Sequence, residues 1–285
     1  MVEVQERVLT FAHSPDPDDA FMFYGFETGA VRIPGYQVQH HLEDIESLNA
    51  RALRGEFEIT AVSAHAYAYL SDRYWVLSCG ASVGRGYGPI LIQRAQESGL
   101  RAQKLRVAIP GKWTTAALAF DLWLSEHPEL TVEKAVLPFD QILPAVSRGD
   151  VDAGLVIHEG QLTYSDQGLK KIWDAGAWWK EKTGLPLPLG LDVVRSDLGL
   201  EFARNFSAAF RRSIVYAQEH SQEALAYALQ YGRGLDASLG KRFIGMYVNQ
   251  DTLDQGTDVQ EGLEQLYNLA YAAGFIPNKP HLTFI

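Results

Sequence analysis

The sequence has few of the features that mark secreted, membrane or nucleic-acid-binding proteins. Its 285 residues include a single cysteine, Cys79, so no internal disulfide can form, and this favours a reducing compartment. Lysine and arginine total 25 against 35 aspartates and glutamates, which gives a net charge of −10. Nucleic acids and anionic membranes need a basic surface, so neither is an expected partner.

Long apolar runs are missing as well. No uninterrupted apolar run approaches the ~18 residues of a membrane-spanning helix. The first seven residues lack the basic and apolar regions of a secretory signal. We therefore expect a cytoplasmic protein with no membrane partner. A hydrophobic content of 47% with 21% charged residues is typical of a globular protein with a sizeable core.

Strand-like and helix-like segments alternate along the whole chain. Residues 8–12 have the pattern of a strand and residues 19–27 that of a helix. A second helix over residues 44–53, capped by Asp44 and closed by Gly55, precedes a strand over residues 57–63. This alternation predicts an α/β fold with a mostly parallel sheet and helical crossovers.

A short internal echo predicts that the fold is built twice. Arg54-Gly55-Glu56 follows an amphipathic helix and precedes a strand that ends at Ser63. Arg148-Gly149-Asp150 does the same before a strand that ends near His158. Two similar helix–glycine–strand units indicate two α/β lobes, in which Ser63 and His158 end corresponding strands.

The lobe boundaries follow from the segments between these units. Residues 88–94 and 187–195 have the pattern of strands that cross between the lobes, and residues 95–104 that of a polar linker. The predicted architecture is a discontinuous first lobe of residues 1–93 and 192–285, with an inserted second lobe of residues 94–191. A central cleft would lie between the two.

The tripeptide Ile157-His158-Glu159 closes the apolar run that begins at Val151. Ligands collect at the carboxyl ends of strands in open α/β sheets, so a histidine there is expected to face a ligand. Histidine is also the side chain best suited to moving protons near neutral pH. A purely structural histidine is the alternative. Zinc is not expected, because position 162 is leucine where a zinc-protease helix has its second histidine.

The best candidate anion site lies where a predicted strand meets a helix, at Pro110-Gly111-Lys112-Trp113-Thr114-Thr115. Backbone N–H groups and the positive end of the helix dipole favour an anion at such a junction. Thr114 and Thr115 add hydroxyl groups, and Lys112 adds charge. The alternative is that Thr114 merely caps the helix.

Two further loops carry polar side chains. The segment from Ser14 to Asp19 holds three aspartates, and carboxylates are typical magnesium ligands. Turn and cap chemistry explains the segment more simply than a magnesium site does. The glycine-rich loop over residues 80–88 offers Arg85 for a carboxylate, or is a plain structural turn. It precedes a strand and so is not a nucleotide-binding loop. The pair Trp178-Trp179 indicates core packing more than a ligand wall.

Several of these stretches resemble one known family in order and spacing. They include Ser14-Pro-x-Pro-x-Asp19, Gly84-Arg-Gly-x-Gly-Pro89, Val107-Ala-x-Pro-Gly111, Gly154-Leu-x-Ile-His-Glu159 and Thr183-Gly-Leu-Pro-Leu-Pro-Leu-Gly190. The family is the 1,4-dihydroxy-6-naphthoate synthases of the futalosine route to menaquinone. The resemblance implies a two-lobed fold like that of type II periplasmic binding proteins, with two crossover strands.

The resemblance also implies an activity. It is that of a carbon–carbon lyase which converts cyclic dehypoxanthinylfutalosine, a small anionic aromatic substrate, to 1,4-dihydroxy-6-naphthoate without a cofactor or metal. The family's proton-abstracting histidine falls on His158, and its two substrate-binding threonines fall on Thr114 and Thr115. Ser14, Asp19 and Arg85 are secondary candidates for substrate contact.

The chain departs from the family pattern at two places. A substrate-contacting stretch that usually has the sequence Lys-Leu-Ser is Ala61-Val62-Ser63, and the usual cysteine and asparagine of the first motif are Asp16 and Asp18. Loss of a cation and gain of acid would weaken the binding of an anionic substrate, which leaves a diverged branch open. Chorismate dehydratase of the same pathway and a non-catalytic solute-binding protein are the alternative functions.

Overall fold

The computed structural model describes residues 6–97, 99, 104–232 and 235–285. The expected linker over residues 95–104 therefore lies in large part outside the described residues. The strands are β1 (Arg7–His13), β2 (Tyr36–Leu42), β3 (Ile59–Ser63), β4 (Tyr74–Val76), β5 (Ser82–Gly84), β6 (Ile90–Arg94), β7 (Lys104–Ile109), β8 (Thr131–Val136), β9 (Ala153–Val156), β10 (Leu169–Asp174) and β11 (Leu187–Arg195).

The α-helices that alternate with these strands cover most of the remaining chain. They are α1 (Pro17–Glu27), α2 (Ile45–Leu53), α3 (Ala64–Tyr67), α4 (Thr115–Ser125), α5 (Phe139–Arg148), α6 (Gly160–Thr163), α7 (Ala175–Thr183), α8 (Leu200–Glu219), α9 (Ser221–Ala228), α10 (Ala237–Tyr247), α11 (Gln250–Leu253) and α12 (Thr257–Ala272). The predicted α/β class is confirmed. No helix in the described part of the chain has both the length and the apolar character needed to cross a membrane.

Contacts between Cα atoms divide the chain into two compact units. The first comprises the described residues of Met1–Ser82, Gly190–Gly256 and Pro280–Ile285, and the second those of Val83–Leu189 and Thr257–Lys279. The predicted boundaries differ from this division in three respects, the smallest being that Gly190 and Leu191 belong to the first unit. Residues 83–93 belong with the second unit because β6 is hydrogen-bonded there on both sides. The C-terminal helix α12 also belongs to the second unit.

The first unit is built on a mixed sheet with the strand order β2-β1-β3-β11-β4, to which β5 adds by pairing with β11. β1 runs parallel to β2 and β3. β11 runs antiparallel to β3 and β4. Strand β11 matches the predicted segment 187–195 and passes from one unit to the other between Leu189 and Gly190.

The second unit repeats this plan with the strand order β8-β7-β9-β6-β10. β7 runs parallel to β8 and β9, and β6 runs antiparallel to β9 and β10. The predicted crossing at residues 88–94 is therefore an inner strand of the second sheet. The chain passes between the units at β5 instead.

The helix–glycine–strand echo is confirmed in both units. Asp44 caps α2 by accepting hydrogen bonds from Glu46 N and Ser47 N, both at 3.1 Å. Gly55, with φ +73°, leads from α2 toward β3, and Gly149, with φ +83°, leads from α5 toward β9. Both conformations lie in the left-handed region that favours glycine.

Each unit has its own apolar core. In the first unit, aromatic side chains from β1, α1 and α8 dominate, including Phe11, Phe23, Phe206 and Phe210. Cys79 is buried in the same cluster, and burial raises the pKa of its thiol to about 12, so it is not a poised nucleophile. In the second unit, aliphatic side chains of the sheet pack against α4 on one face and α5 on the other.

Candidate functional site

His158 lies just beyond the strand that was expected to end with it. Strand β9 stops at Val156, and His158 has φ +54°, the only positive φ of a non-glycine residue in the described part of the chain. The left-handed conformation costs a residue with a Cβ about 1–3 kcal/mol. Such strain is concentrated at functional sites, because the surrounding structure must hold the residue there.

The imidazole ring of His158 is half-buried in the second unit. It meets the ring of Phe139 edge-on, with 4.9 Å between ring centroids. Phe139 is the first residue of α5, the helix that precedes β9 in the chain. The ring is therefore packed against a regular element, although its own backbone is in a turn.

Glu159 does not follow His158 along a strand. The pair lies in the turn before α6, with the carbonyl of His158 accepting from Gln161 N and that of Glu159 from Leu162 N. Neither residue is in a strand, so the alternation of side chains along a strand does not apply to this pair. The turn sets their directions instead.

Thr114 and Thr115 begin α4, one residue outside and one inside the helix, as predicted. Both are 2% exposed. Thr114 Oγ1 accepts from Ala117 N at 3.2 Å and donates to the Gly111 carbonyl at 2.9 Å. Thr115 Oγ1 donates to the Leu189 carbonyl at 2.6 Å. The capping role of Thr114, one of the two alternatives, is observed.

These bonds determine what the two threonines can offer a ligand. A hydroxyl group has one proton and two acceptor lone pairs. In this structure both protons are donated to backbone carbonyls, those of Gly111 and Leu189. An anion at this junction would depend on the backbone N–H groups of the first turn of α4 and on the helix dipole.

Ser63 ends β3 and is held by a residue that the sequence did not single out. Asn49 of α2, which is fully buried, accepts from Ser63 N at 2.8 Å and donates its Nδ2 to Ser63 Oγ at 3.0 Å. The neighbouring candidates are inner-sheet residues, with Val62 fully buried and Ala61 9% exposed. The Val62 side chain belongs to the core, and a role of Ala61 and Val62 in substrate contact stays a prediction.

Ser14 and Asp19 form a closed local pair across the start of α1. The Ser14 N–H, at 3.1 Å, and the Ser14 hydroxyl both donate to Asp19 Oδ2. Burial raises the pKa of Asp19 to about 7, against the lowering effect of these bonds. The pKa of the adjacent Asp18 is raised well above its usual range by burial and then by the Asp19 and Asp16 charges.

Several buried titratable residues of the first unit were missed by the sequence analysis. Among them are His13, the last residue of β1, and Asp192 in the middle of β11, each 2% exposed. Burial lowers the pKa of His13 to about 4. Burial, followed by the Asp19 charge, raises the pKa of Asp192 well above its usual range. The one available signal was an aspartate inside an otherwise apolar strand.

Arg85 forms an ion pair with an acid in its own unit. Its Nη1 lies 2.7 Å from Asp258 Oδ2 of α12, and both side chains are close to half exposed. This pairing agrees with the structural alternative for the glycine-rich loop. A role in carboxylate binding stays a prediction.

Trp178 and Trp179 both pack within the second unit. Trp179 is fully buried and donates its Nε1 to the Pro186 carbonyl at 3.0 Å. Trp178 donates to Glu126 at 3.2 Å and packs beside Trp173. Packing within the second unit accounts for both rings. Among the described residues, no group of three or more histidine, cysteine or acidic side chains could hold a metal ion.

Comparison with known proteins identifies the relatives of this chain. Residues 9–272 match the sequence profile of a family described as menaquinone biosynthesis. A 1,4-dihydroxy-6-naphthoate synthase of Thermus thermophilus is 39% identical over 98% of this chain and all of its own length. One from Streptomyces coelicolor is 37% identical over 94% of this chain and 95% of its own.

Solved structures agree with this relationship and extend it at the level of fold. A crystal structure of an Archaeoglobus fulgidus protein matches with a TM-score of 0.88 and 46% identity, covering 97% of this chain and 100% of the other. The alkanesulfonate-binding protein of Xanthomonas axonopodis pv. citri, bound to MOPS, matches with a TM-score of 0.71 and 11% identity over 96% of each chain. The predicted periplasmic-binding-protein-like fold is confirmed.

Proposed function

Because the chain belongs to the menaquinone biosynthesis family, we propose that it is a lyase that converts cyclic dehypoxanthinylfutalosine to 1,4-dihydroxy-6-naphthoate. The observation that carries the proposal is its similarity, along nearly the full chain, to two curated synthases of that naphthoate. Binding proteins share the fold at identities far too low to carry a function.

His158 is the proposed general base. Formation of an aromatic naphthoate from a spirocyclic precursor requires a proton to leave carbon and a ring to open, and aromatisation drives both. The protein then needs chiefly a base in the correct position. The strained backbone of His158 and its packing against Phe139 support this role, since both restrict where the imidazole can lie.

The start of α4 is the proposed site for the substrate carboxylate. Thr114 and Thr115 shape this junction through their bonds to Gly111 and Leu189. The N–H groups of the first helical turn and the helix dipole supply the attraction for an anion. In this proposal the two threonines fix the positions of the backbone N–H groups, and Thr114 Oγ1 accepts a hydrogen bond from Ala117 N.

The deciding experiment is incubation of the purified chain with cyclic dehypoxanthinylfutalosine and mass detection of the naphthoate. Product formation at a rate proportional to enzyme concentration is the expected result. Tight substrate binding without turnover would contradict the proposal and favour a solute-binding protein. Turnover of chorismate in its place would make the chain a dehydratase.

A further inference from the structure

Strand β2 forms an open edge of the first sheet. Among the described strands β1 is its one neighbour, and the two are paired in parallel in continuous register. A cavity of about 670 Å³ adjoins this edge, and five consecutive residues of the strand, 36–40, line it. Successive side chains of a strand point to opposite faces of its sheet. A cavity that reaches all five residues must therefore border the edge itself, where backbone N–H and C=O groups lie.

The other edge strands of the two sheets are short, covered or charged. β5 has three residues. At β4, Val76 N donates to the Thr283 carbonyl at 2.9 Å and the Val76 carbonyl accepts from Ile285 N at 2.8 Å, so the C-terminal residues pair with that edge. β8 carries Glu133 and Lys134, and β10 carries two lysines and an irregular register. Short strands, charges, bulges and covering segments are the means by which proteins prevent unwanted pairing at an edge.

Strand β2 has none of these protective features. Its residues 36–40 include no acidic residue, lysine, arginine or proline, and its pairing with β1 shows no bulge. Burial lowers the pKa of His40, so this imidazole is neutral near pH 7. Gln37 and Gln39 are exposed. The composition of the strand thus leaves its edge open to the addition of another strand.

An exposed apolar side chain lies next to this edge. Val8 of β1 is paired with Gln37 of β2, and it is 48% exposed although β1 is an inner strand of the sheet. Paired residues on adjacent strands project to the same face. Burial of Val8 beneath an added strand and its side chains would contribute to the free energy of an association at the edge.

The sequence of the edge is nearly symmetric about Val38. Tyr36 and Gln37 precede this valine, and Gln39 and His40 follow it, so an aromatic ring and a glutamine lie on each side in mirror order. Antiparallel pairing of two copies centred on Val38 places Gln37 of one copy opposite Gln39 of the other, and Tyr36 opposite His40. Aromatic pairs across strands are favourable. The two-fold symmetry of such a contact makes each pair occur twice.

The charges around the edge are also compatible with a second copy. Each copy has a net charge of −10, so two copies repel one another unless they meet at a surface without an excess of acid. The charged residues that line the cavity have both signs, with Glu6 and Glu27 against Arg32. Residues 36–40 themselves are uncharged. A surface of this kind can face its own copy, because neither side presents charges of one sign only.

We propose that the β2 edge is a dimerisation surface, at which a second copy of this chain adds its own β2 in antiparallel orientation, in the register centred on Val38. The first-unit sheets of the two copies then form one continuous sheet across a two-fold axis. Backbone hydrogen bonds supply the attraction, and the paired side chains fix the register. The surface belongs to the first unit alone and does not depend on the proposed function.

Sedimentation equilibrium of the full chain tests the association. The parent is expected to show a concentration-dependent equilibrium between monomer and dimer. Gln37→Lys/Gln39→Lys places lysine opposite lysine at both symmetric positions, and should raise the Kd of the dimer at least about tenfold. Gln37→Lys/Gln39→Glu places lysine opposite glutamate in the same register, and should dimerise at least as tightly as the parent. A parent that stays monomeric, or equal Kd values for the two double variants, would overturn the proposal.

The pair of variants separates the proposed register from other causes. Parallel pairing would place position 37 opposite itself, so like charges would meet in both double variants and both would dissociate. The double lysine variant is also less acidic than the parent, so general repulsion between copies would change in the opposite direction. Thr131→Lys, at the exposed start of β8, is the matched control on the other sheet and should leave the Kd unchanged. Thermal unfolding of every variant confirms that it is folded.

A mixing experiment completes the design. Gln37→Lys/Gln39→Lys and Gln37→Glu/Gln39→Glu should each dimerise weakly alone, and should form a heterodimer when mixed, since every pair is then of opposite charge. A dimeric parent whose charged variants do not recover in the mixture would place the contact elsewhere and overturn the proposal. A monomeric parent that binds a synthetic peptide of residues 34–42 would also overturn it, and would assign the edge to an extended segment of another protein.

Discussion

The two units of this protein have the same strand order and strand directions, but different chemistry at equivalent positions. In the first, the turn after β1 is rich in carboxyl groups and the sheet face beneath α1 contains His13 and Asp192. In the second, the turn after β7 carries Lys112, Thr114 and Thr115, and the sheet face beneath α4 is apolar. The shared topology is thus a scaffold on which each unit presents its own set of side chains.

The second difference lies at the strand that follows each glycine. β3 runs directly into α3, and Ser63 at the junction has an extended conformation with φ −68°. After β9 the chain instead turns through His158 with φ +54°. One unit ends this strand without strain, and the other holds His158 in a strained conformation. In the function proposed above, the base lies in the unit with the strained residue.

The largest expected effect is that of His158→Asn on turnover. Asparagine tolerates a positive φ better than most residues, so the variant should fold and still bind substrate. Loss of the base should lower kcat by about 10²–10⁴-fold, measured by naphthoate release. His127→Asn, which alters another histidine of the same unit, is the matched control. A His158→Asn rate within a few-fold of the parent would refute the assignment.

The second prediction places an acidic side chain in the second sheet, at the position that corresponds to Asp192 of the first sheet. Leu91→Asp places in the second unit the residue that its counterpart, Asp192, supplies in the first. Leu91 is fully buried among apolar side chains, so an unpaired carboxyl there should lower the free energy of unfolding by about 3–5 kcal/mol. Denaturant unfolding measures the loss, and Leu91→Asn separates charge from polarity. A loss of unfolding free energy below about 1 kcal/mol would show that the two sheets tolerate a buried carboxyl group equally well.

The internal repeat was accessible from the sequence because local signals determine it. Glycines at Gly55 and Gly149 and the cap at Asp44 act within a few residues, and their effects were predicted correctly. The two buried polar residues of the first sheet could not be predicted from the sequence to share one face. His13 and Asp192 lie on strands separated by most of the chain, and only the pairing of both with β3 brings them onto one face. The positive φ of His158 likewise follows from a turn that no local residue pattern announces.

The third prediction concerns pH. Because burial raises the pKa of Asp192 in the folded chain, the unfolded state releases this proton first, and folding stability falls as pH rises above the unfolded value of about 4. Asp192→Asn removes this dependence. The variant should therefore gain more in Tm relative to the parent at pH 8 than at pH 5, by about 2–4 °C for each kcal/mol.

The sign of this pH dependence of stability distinguishes Asp192 from His13. The pKa of His13 is lowered from 6.5 to about 4, so its contribution to stability is lost as pH falls through that interval. His13→Phe should accordingly gain Tm relative to the parent at pH 5 and not at pH 8. The same gain in Tm at both pH values, in either variant, would show that packing and not ionisation determines the effect of these two residues on stability.

The smallest expected effect is that of Thr115→Val in the second unit. Thr115 gives its only hydroxyl proton to the Leu189 carbonyl, so valine leaves that carbonyl without this donor and should cost about 1–3 kcal/mol of unfolding free energy. The substrate dissociation constant should change less than this, because the proposed anion donors are backbone N–H groups. Thr115→Ser keeps the hydroxyl and should restore stability. If valine instead weakens substrate binding by its full cost while the unfolding free energy stays constant, the hydroxyl itself donates to the substrate, and the threonine is a direct ligand and not a support for the helix start.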